Sequence, residues 1–338
     1  MVIIWKYWMG RRPSGGRKVV AGPAVPTVDL RDPDPAALRA LDAACADHGF
    51  FLLEGHGCTD TFVRAWDATR RFFAADRALR VAIMRDRDNP MGYFDRELTK
   101  RRRDHKEVFD FVDPASARTD AHNRWPVGLP GFRDAMAELY DALSALADRA
   151  LDLVLDAAGV SAGGRERLRC SRRGSSIRLN HYPVGDPVPA AEREGLAALG
   201  ETALGHHTDP GILTLLLQDE VGGLQTRARD GRWLDVVPRA DAIVVNLGDC
   251  MQAATNDAYR AAVHRVLPMT ARSRYSIPYF GNPPRDAMVE PLAELAAGAP
   301  RYRPFAWRDF SDARAYDNFT DLGVDDAQVS DYRIAAPG

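Results

Sequence analysis

The chain has 338 residues, 46% hydrophobic and 27% charged, a balance that suits a globular protein with a sizeable core. Its 45 basic and 47 acidic residues leave a net charge of −2, so no overall field favours nucleic acid or an acidic membrane surface. No apolar run approaches the roughly 20 residues that span a bilayer. The four cysteines (Cys45, Cys58, Cys170, Cys250) are far apart and lack a CxxC spacing, as expected of reduced thiols in a cytoplasmic protein. Only four basic residues are lysines, which with the abundant alanine suggests a GC-rich bacterial source.

In chain order, residues 1–20 read as a disordered or appended tail, because their apolar stretch is too short for a signal segment and their arginine pair follows it. "VPTVDL" (25–30) is a short strand. Asp34 with Pro35 starts a helix carrying an apolar stripe of Leu38, Leu41 and Cys45, and Gly49 ends it. "FFLLEGHG" is a buried strand and turn, and a second helix is expected from about 60 to 79. The longest helix covers about 131–158, where Phe132, Met136, Leu139, Leu143, Leu146, Ala150 and Leu153 alternate steps of four and three. After Gly164 short strands with turn punctuation dominate, including a hairpin near "RDG" (229–231). The expectation is a helix-rich region over 21–164, then a β-sandwich, barrel or jelly roll over 165–338.

"GHHTDPG" (205–211) raises the chemical question. In an extended segment His207 and Asp209 share a face and His206 does not. Two imidazoles and one carboxylate on one face of a metal, with other positions open, suit a non-haem Fe(II) oxygenase. His264, in "AVHRVL", is the only histidine downstream. By itself HxD is a weak signal that more often marks a polar turn than a metal site. Ten residues past His264, "RYS" puts Arg274 and Ser276 on one strand face, able to grip a carboxylate. In "RLNHYP" Arg178, Asn180 and Tyr182 share a face opposite Ile177, Leu179 and His181, and such a polar face in a core strand needs partners. "KRRRDHK" (100–106) reads as a solvated charged face in preference to a nucleic-acid patch.

Together, "VPTVDL", "DHGFFLLEGHG", "GYFDRELTKRRRDHKEVFDF", "NHYP", "HTDPGILTLLLQDEVGGLQ", "NLGD", "HRV" and "RYSIPYF" resemble the iron(II)- and 2-oxoglutarate-dependent dioxygenases of the isopenicillin N synthase-like group. The resemblance implies a mainly β fold, a double-stranded β-helix (jelly-roll, cupin-like) with helices packed outside. It also implies His207, Asp209 and His264 as Fe(II) ligands, and 2-oxoglutarate held by Arg274 and Ser276 with help from Tyr182 and Asn180. O2 is the other co-substrate, and Phe109, Phe111, Arg178, Phe280 and Asn282 are expected to line the substrate side. The implied activity is oxidation of a small molecule, hydroxylation by default, with succinate and CO2 released. A bacterial source suggests natural-product or amino-acid-derivative metabolism, and the expected state is a cytoplasmic monomer with neither nucleic-acid nor membrane partners. Two alternatives stand beside this: an iron oxidase that uses no 2-oxoglutarate, and a non-catalytic binding module. The chain departs from the family pattern in a long stretch at 184–205.

Overall fold

The computed structural model describes residues 25–295, 298–316 and 327–335, so the tail expected over 1–20 lies outside the described residues. The strands are β1 (Thr27–Asp29), β2 (Phe50–Glu54), β3 (Gly92–Phe94), β4 (Leu98–Thr99), β5 (Arg102–Arg103), β6 (Glu107–Val112), β7 (Ser176–Tyr182), β8 (Leu204–His207), β9 (Leu213–Gln218), β10 (Leu224–Arg227), β11 (Trp233–Asp235), β12 (Ile243–Leu247), β13 (His264–Val266) and β14 (Arg274–Gly281). The helices are α1 (Pro35–Asp47), α2 (Thr59–Ala74), α3 (Arg77–Val81), α4 (Ala117–Asp120), α5 (Phe132–Ala157), α6 (Ala162–Arg167), α7 (Asp249–Ala254) and α8 (Trp307–Tyr316). Eight strands form the larger sheet in the order β1-β2-β12-β9-β14-β7-β6-β3, and four form the smaller, β11-β10-β13-β8.

Side-chain parity explains how the layers stack. Leu213, Leu215 and Leu217 of β9, Ile243, Val245 and Leu247 of β12, and Ile277 and Tyr279 of β14 point into one core with the apolar stripe of α5. Their alternates Leu216 and Val244, with Phe50, Leu52 and Tyr182, meet Leu224 and Val266 of the smaller sheet in a second core. Strands covered on both faces read as continuous apolar runs, as "LTLLLQ" and "IVVNL" do. The result is the expected double-stranded β-helix with helices outside. The N-terminal region is less purely helical than its composition suggests, since β1, β2, β3 and β6 supply half of the larger sheet.

Three further departures have local causes. The helix expected over 60–79 breaks at Ala75 and Asp76, whose backbones are extended, and the turn lets Arg77 reach Asp95 and Glu192. The charged run at 100–106 is a solvated face only in its first half: Lys100, Arg101 and Arg102 are exposed, but Arg103, Asp104 and Lys106 are buried, with Arg103 paired to Asp186. The long 184–205 stretch is stitched down by that same pair and by Glu192 to Arg77 and Arg96.

Phe109 and Phe111 do not line the substrate side. Both are 0% exposed and lie among Phe72, Trp125, Phe132 and Tyr140, on the α5 side of the sheet. Parity on β6 sends them one way and Asp110 the other, where it meets Arg178. Phe109→Ala is therefore expected to cost about 3–5 kcal/mol of stability while leaving metal affinity unchanged in the folded fraction. Chemical denaturation with a parallel metal titration checks both.

Candidate metal and co-substrate site

β8 and β13 run antiparallel with His207 and His264 in direct register, and Asp209 follows β8 in the next turn. Side-chain donor atoms of the three lie within 4.8 Å of one another, the only such His/Cys/Asp/Glu group found among the described residues. Asp209 Oδ1 is 3.7 Å from His207 Nε2 and 3.9 Å from His264 Nε2. His207 Nδ1 sits 2.8 Å from the Gly205 carbonyl and His264 Nδ1 2.8 Å from the Ala262 carbonyl. Each Nδ1–H donates to a carbonyl, so each ring keeps its Nε2 lone pair for the shared centre. Asp209 Oδ2 accepts from Thr214 Oγ1 (2.6 Å) and Asn246 Nδ2 (2.9 Å), which orients Oδ1 toward the imidazoles.

Burial, with His264 beside it, pushes the His207 imidazolium pKa down to about 3, so the ring is neutral and free to coordinate. Burial opposes ionisation of Asp209, but His264, His207 and the hydrogen bonds from Thr214 and Asn246 outweigh it and hold the carboxyl below its usual value. Two imidazoles and one carboxylate are a donor set suited to Fe(II) with positions left open. His206 points elsewhere: its Nε2 is 2.5 Å from Lys100 Nζ, on the outer side of β8.

The "NLGD" turn holds this loop from behind. Asp249 N–H donates to the Asp209 carbonyl (2.8 Å), and a Cβ on Gly248 would come within 2.2 Å of Gly211 O, so only glycine allows that approach. Arg314 of α8 donates to the carbonyl of Thr208, between the two ligand positions, at 2.5 Å, and stands 3.9 Å from Asp249. Burial raises the Asp249 carboxyl to about 6. Arg314→Leu removes the clasp that fixes the HxD turn, and metal affinity is expected to fall about tenfold, as losing one or two charge-assisted hydrogen bonds implies. Anaerobic metal titration reads it, and unchanged affinity would show that α8 does not position the turn.

Register on β14 and β7 sets Arg274 opposite Tyr182 and Ser276 opposite Asn180. Arg274 is 1% exposed, yet it forms no ion pair among the described residues. It donates to Ser276 Oγ (3.2 Å) and Gln218 Oε1 (3.4 Å), lies over the Tyr182 ring, and its Nε has no partner. A buried guanidinium without a counter-ion is costly, and it fits a carboxylate supplied by a ligand. Asn180 donates to Ser276 Oγ (3.3 Å), and its Oδ1 is likewise buried without a partner.

These groups open on one cleft between the two sheets. Arg178 and Phe280 line it. Asn282 does not: its amide nitrogen donates to the Gly174 carbonyl (3.0 Å), a role in closing the β14 end, because it stands one residue past the strand. Lys106 lines the cleft too. The sequence reading missed it because it sits in a charge run, as it missed Thr214, Asn246 and Arg314, whose roles depend on contacts between distant segments.

A pair of imidazoles with a carboxylate, above a buried arginine–serine pair in a jelly roll, defines the non-haem iron oxygenase class. Comparison with known proteins fixes the family. Residues 174–283 match the 2OG-Fe(II) oxygenase superfamily model, and residues 25–128 match the non-haem dioxygenase in morphine synthesis N-terminal model. Gibberellin 3-beta-dioxygenase 2-3 of Triticum aestivum is 34% identical over 304 residues, covering 86% of this chain and 79% of its own length. A 2-oxoglutarate-Fe(II) type oxidoreductase of Emericella nidulans is 34% identical over 298 residues, 80% and 82% of the two chains. Among solved structures, JOX2 in complex with 2OG, Fe and JA gives a TM-score of 0.73 at 26% identity, covering 85% of this chain and 83% of that one. A putative 2OG-Fe(II) oxygenase family protein from Caulobacter crescentus gives 0.71 at 25%, covering 86% and 98%. The chain belongs to the 2-oxoglutarate/Fe(II) oxygenase superfamily and is an Fe(II)/2-oxoglutarate-dependent dioxygenase. Among the described residues no helix is long and apolar enough to cross a membrane.

Proposed function

We propose that His207, Asp209 and His264 hold the Fe(II), and that Arg274 and Ser276, with Tyr182 and Asn180 beside them, hold the far carboxylate of 2-oxoglutarate. The observation that carries the reading is the buried Arg274, which forms no ion pair among the described residues, on the same cleft as the triad. When bound, the metal supplies the activation of O2 that couples decarboxylation of the keto acid to oxidation of a C–H bond. The protein's part is positional. The carbonyls of Gly205 and Ala262 fix the imidazole tautomers, Thr214 and Asn246 fix the carboxylate, and Phe50, Leu216 and Val266 keep the walls apolar. Such walls exclude water from the reacting centre.

The substrate is a small molecule, and hydroxylation is the default outcome. The arginine-rich, lysine-poor composition supports a bacterial enzyme acting on a natural-product intermediate or an amino-acid derivative. Incubating the iron-loaded protein with candidate metabolites and following succinate release tests the reading. A true substrate accelerates succinate formation and gains one oxygen atom or loses two hydrogens, whereas succinate release that no metabolite accelerates would count against it.

A further inference from the structure

Beside the cleft lies a cluster of six charges, five of them buried and the sixth, Arg178, partly exposed. Arg85 pairs with Glu97 (2.5 Å) and Asp110 (2.7 Å), Lys106 with Glu97 (2.9 Å) and Asp104 (3.2 Å), and Arg178 with Glu97 (2.9 Å) and Asp110 (2.7 Å). Burying charges costs more than packing apolar groups of the same volume, so a cluster of this kind beside a binding cleft points to function. Its arrangement is asymmetric: of the six, only the cations Lys106 and Arg178 line the cleft, and the three carboxylates stand behind them.

The donors are not all used. Lys106 has three N–H groups and two carboxylate partners. Arg178 has five, of which Nε goes to Asp110 Oδ1, one Nη1–H to Glu97 Oε2, and the Nη2 pair to Asp110 Oδ2 and Glu97 Oε1. One N–H of each remains. Lys106 Nζ and Arg178 Nη1 both touch the same oxygen, Glu97 Oε2, each at 2.9 Å, so the two nitrogens are near neighbours at the cleft wall. Arg178 stands apart from the co-substrate clamp: on β7 it is four residues from Tyr182, the register partner of Arg274, roughly 13 Å of strand at ~3.3 Å per residue, whereas Lys106, one residue before the Glu107–His181 pair, stands at the Tyr182 end and reaches back to Glu97.

Charge decides which acceptor fits. Three cations and three carboxylates cancel, and Fe(II), the Asp209 carboxylate, Arg274 and dianionic 2-oxoglutarate cancel as well. A substrate carboxylate would bring an uncompensated charge into this interior, whereas a carbonyl oxygen satisfies two donors without one. We propose that Lys106 and Arg178 form the substrate-reading end of the cleft and take the carbonyl oxygen of a neutral substrate, an amide, lactam, imide or ketone. This rests on the assignment of the iron and 2-oxoglutarate sites above.

The test uses protein loaded with Mn(II) and 2-oxoglutarate, which does not turn over. Two probe sets are titrated by calorimetry: benzamide against benzoate and benzylamine, and 2-piperidone against piperidine and 5-aminopentanoate. At least one neutral carbonyl probe is expected to bind at least tenfold tighter than both of its charged counterparts. That preference is expected to fall at least fivefold in Lys106→Met/Asp104→Asn, which removes one cation and one carboxylate together and so keeps the cluster balanced. Should neither carbonyl probe outbind its counterparts, or should the preference survive the double change, the proposal is overturned. Where the double variant fails to hold 2-oxoglutarate, the wild-type comparison decides alone. Failure of the wild type to bind 2-oxoglutarate at the loading step would instead overturn the co-substrate assignment, which keeps the two failures apart.

Discussion

Arg274→Gln is expected to weaken 2-oxoglutarate binding at least tenfold while leaving metal affinity unchanged. Arg274 is fully enclosed, has no ion-pair partner among the described residues, and presents an Nε with nothing to donate to. A carboxylate arriving there gains a charge-assisted fork, and Ser276 Oγ, already 3.2 Å from Nη1, adds a third donor. Each hydrogen bond to a charged group is worth about 1.5–3 kcal/mol, and every ~1.4 kcal/mol is tenfold in affinity. Glutamine keeps one donor but loses both the charge and the fork. The measurement is an anaerobic 2-oxoglutarate titration of iron-loaded protein, read from the visible charge-transfer band. Equal affinity in variant and wild type would remove Arg274 from the clamp.

His207→Ala is expected to abolish turnover and lower metal affinity by two orders of magnitude or more, whereas His206→Ala retains most of both. The two neighbours differ only in parity. His207 faces Asp209 and His264, with its tautomer set by the Gly205 carbonyl, and His206 faces Lys100 on the outside of β8. Losing one of three protein ligands leaves a bidentate site that competes poorly with water for a divalent ion. Cobalt(II) absorption separates coordination from folding, because a merely destabilised His207→Ala would keep the wild-type cobalt spectrum in its folded fraction. The reverse order of effects would mean that β8 is shifted by one residue.

The parts of the site legible in the sequence are those a strand's period of two encodes. His207 with Asp209, Arg274 with Ser276, and Arg178 with Asn180 and Tyr182 share faces because alternate residues must, and the register of β14 on β7 then joins the last two sets. The run of short strands after Gly164 made a sandwich, barrel or jelly roll legible, and the family resemblance chose the double-stranded β-helix among them. Parity also exposes the misreading of Phe109 and Phe111: period two says that they share a face, but not which face. That is settled by Asp110, drawn to Arg178 on the cleft side, and by the α5 stripe that receives the phenyl rings. The break at Ala75 and Asp76 brings Arg77 to Asp95 and Glu192, which are distant in sequence, and its one local mark is Asp76 at the N-cap position of α3. Lys106 was hidden for the same reason. Three of its neighbours in the charge run are solvated, and only the fold shows that its own ammonium is enclosed by Glu97 and Asp104.

The most direct test of the account is release of labelled CO2 from 2-oxoglutarate labelled at carbon 1. Protein is loaded anaerobically with Fe(II) and the labelled keto acid, and O2 is then admitted without any second substrate. The account predicts slow release that depends on iron and O2, is matched mole for mole by succinate, and is at least tenfold slower in Arg274→Gln at limiting 2-oxoglutarate. No release above the iron-free control, together with no charge-transfer band before O2 is admitted, would contradict it and transfer Arg274 and Ser276 to holding a carboxylate of the substrate itself.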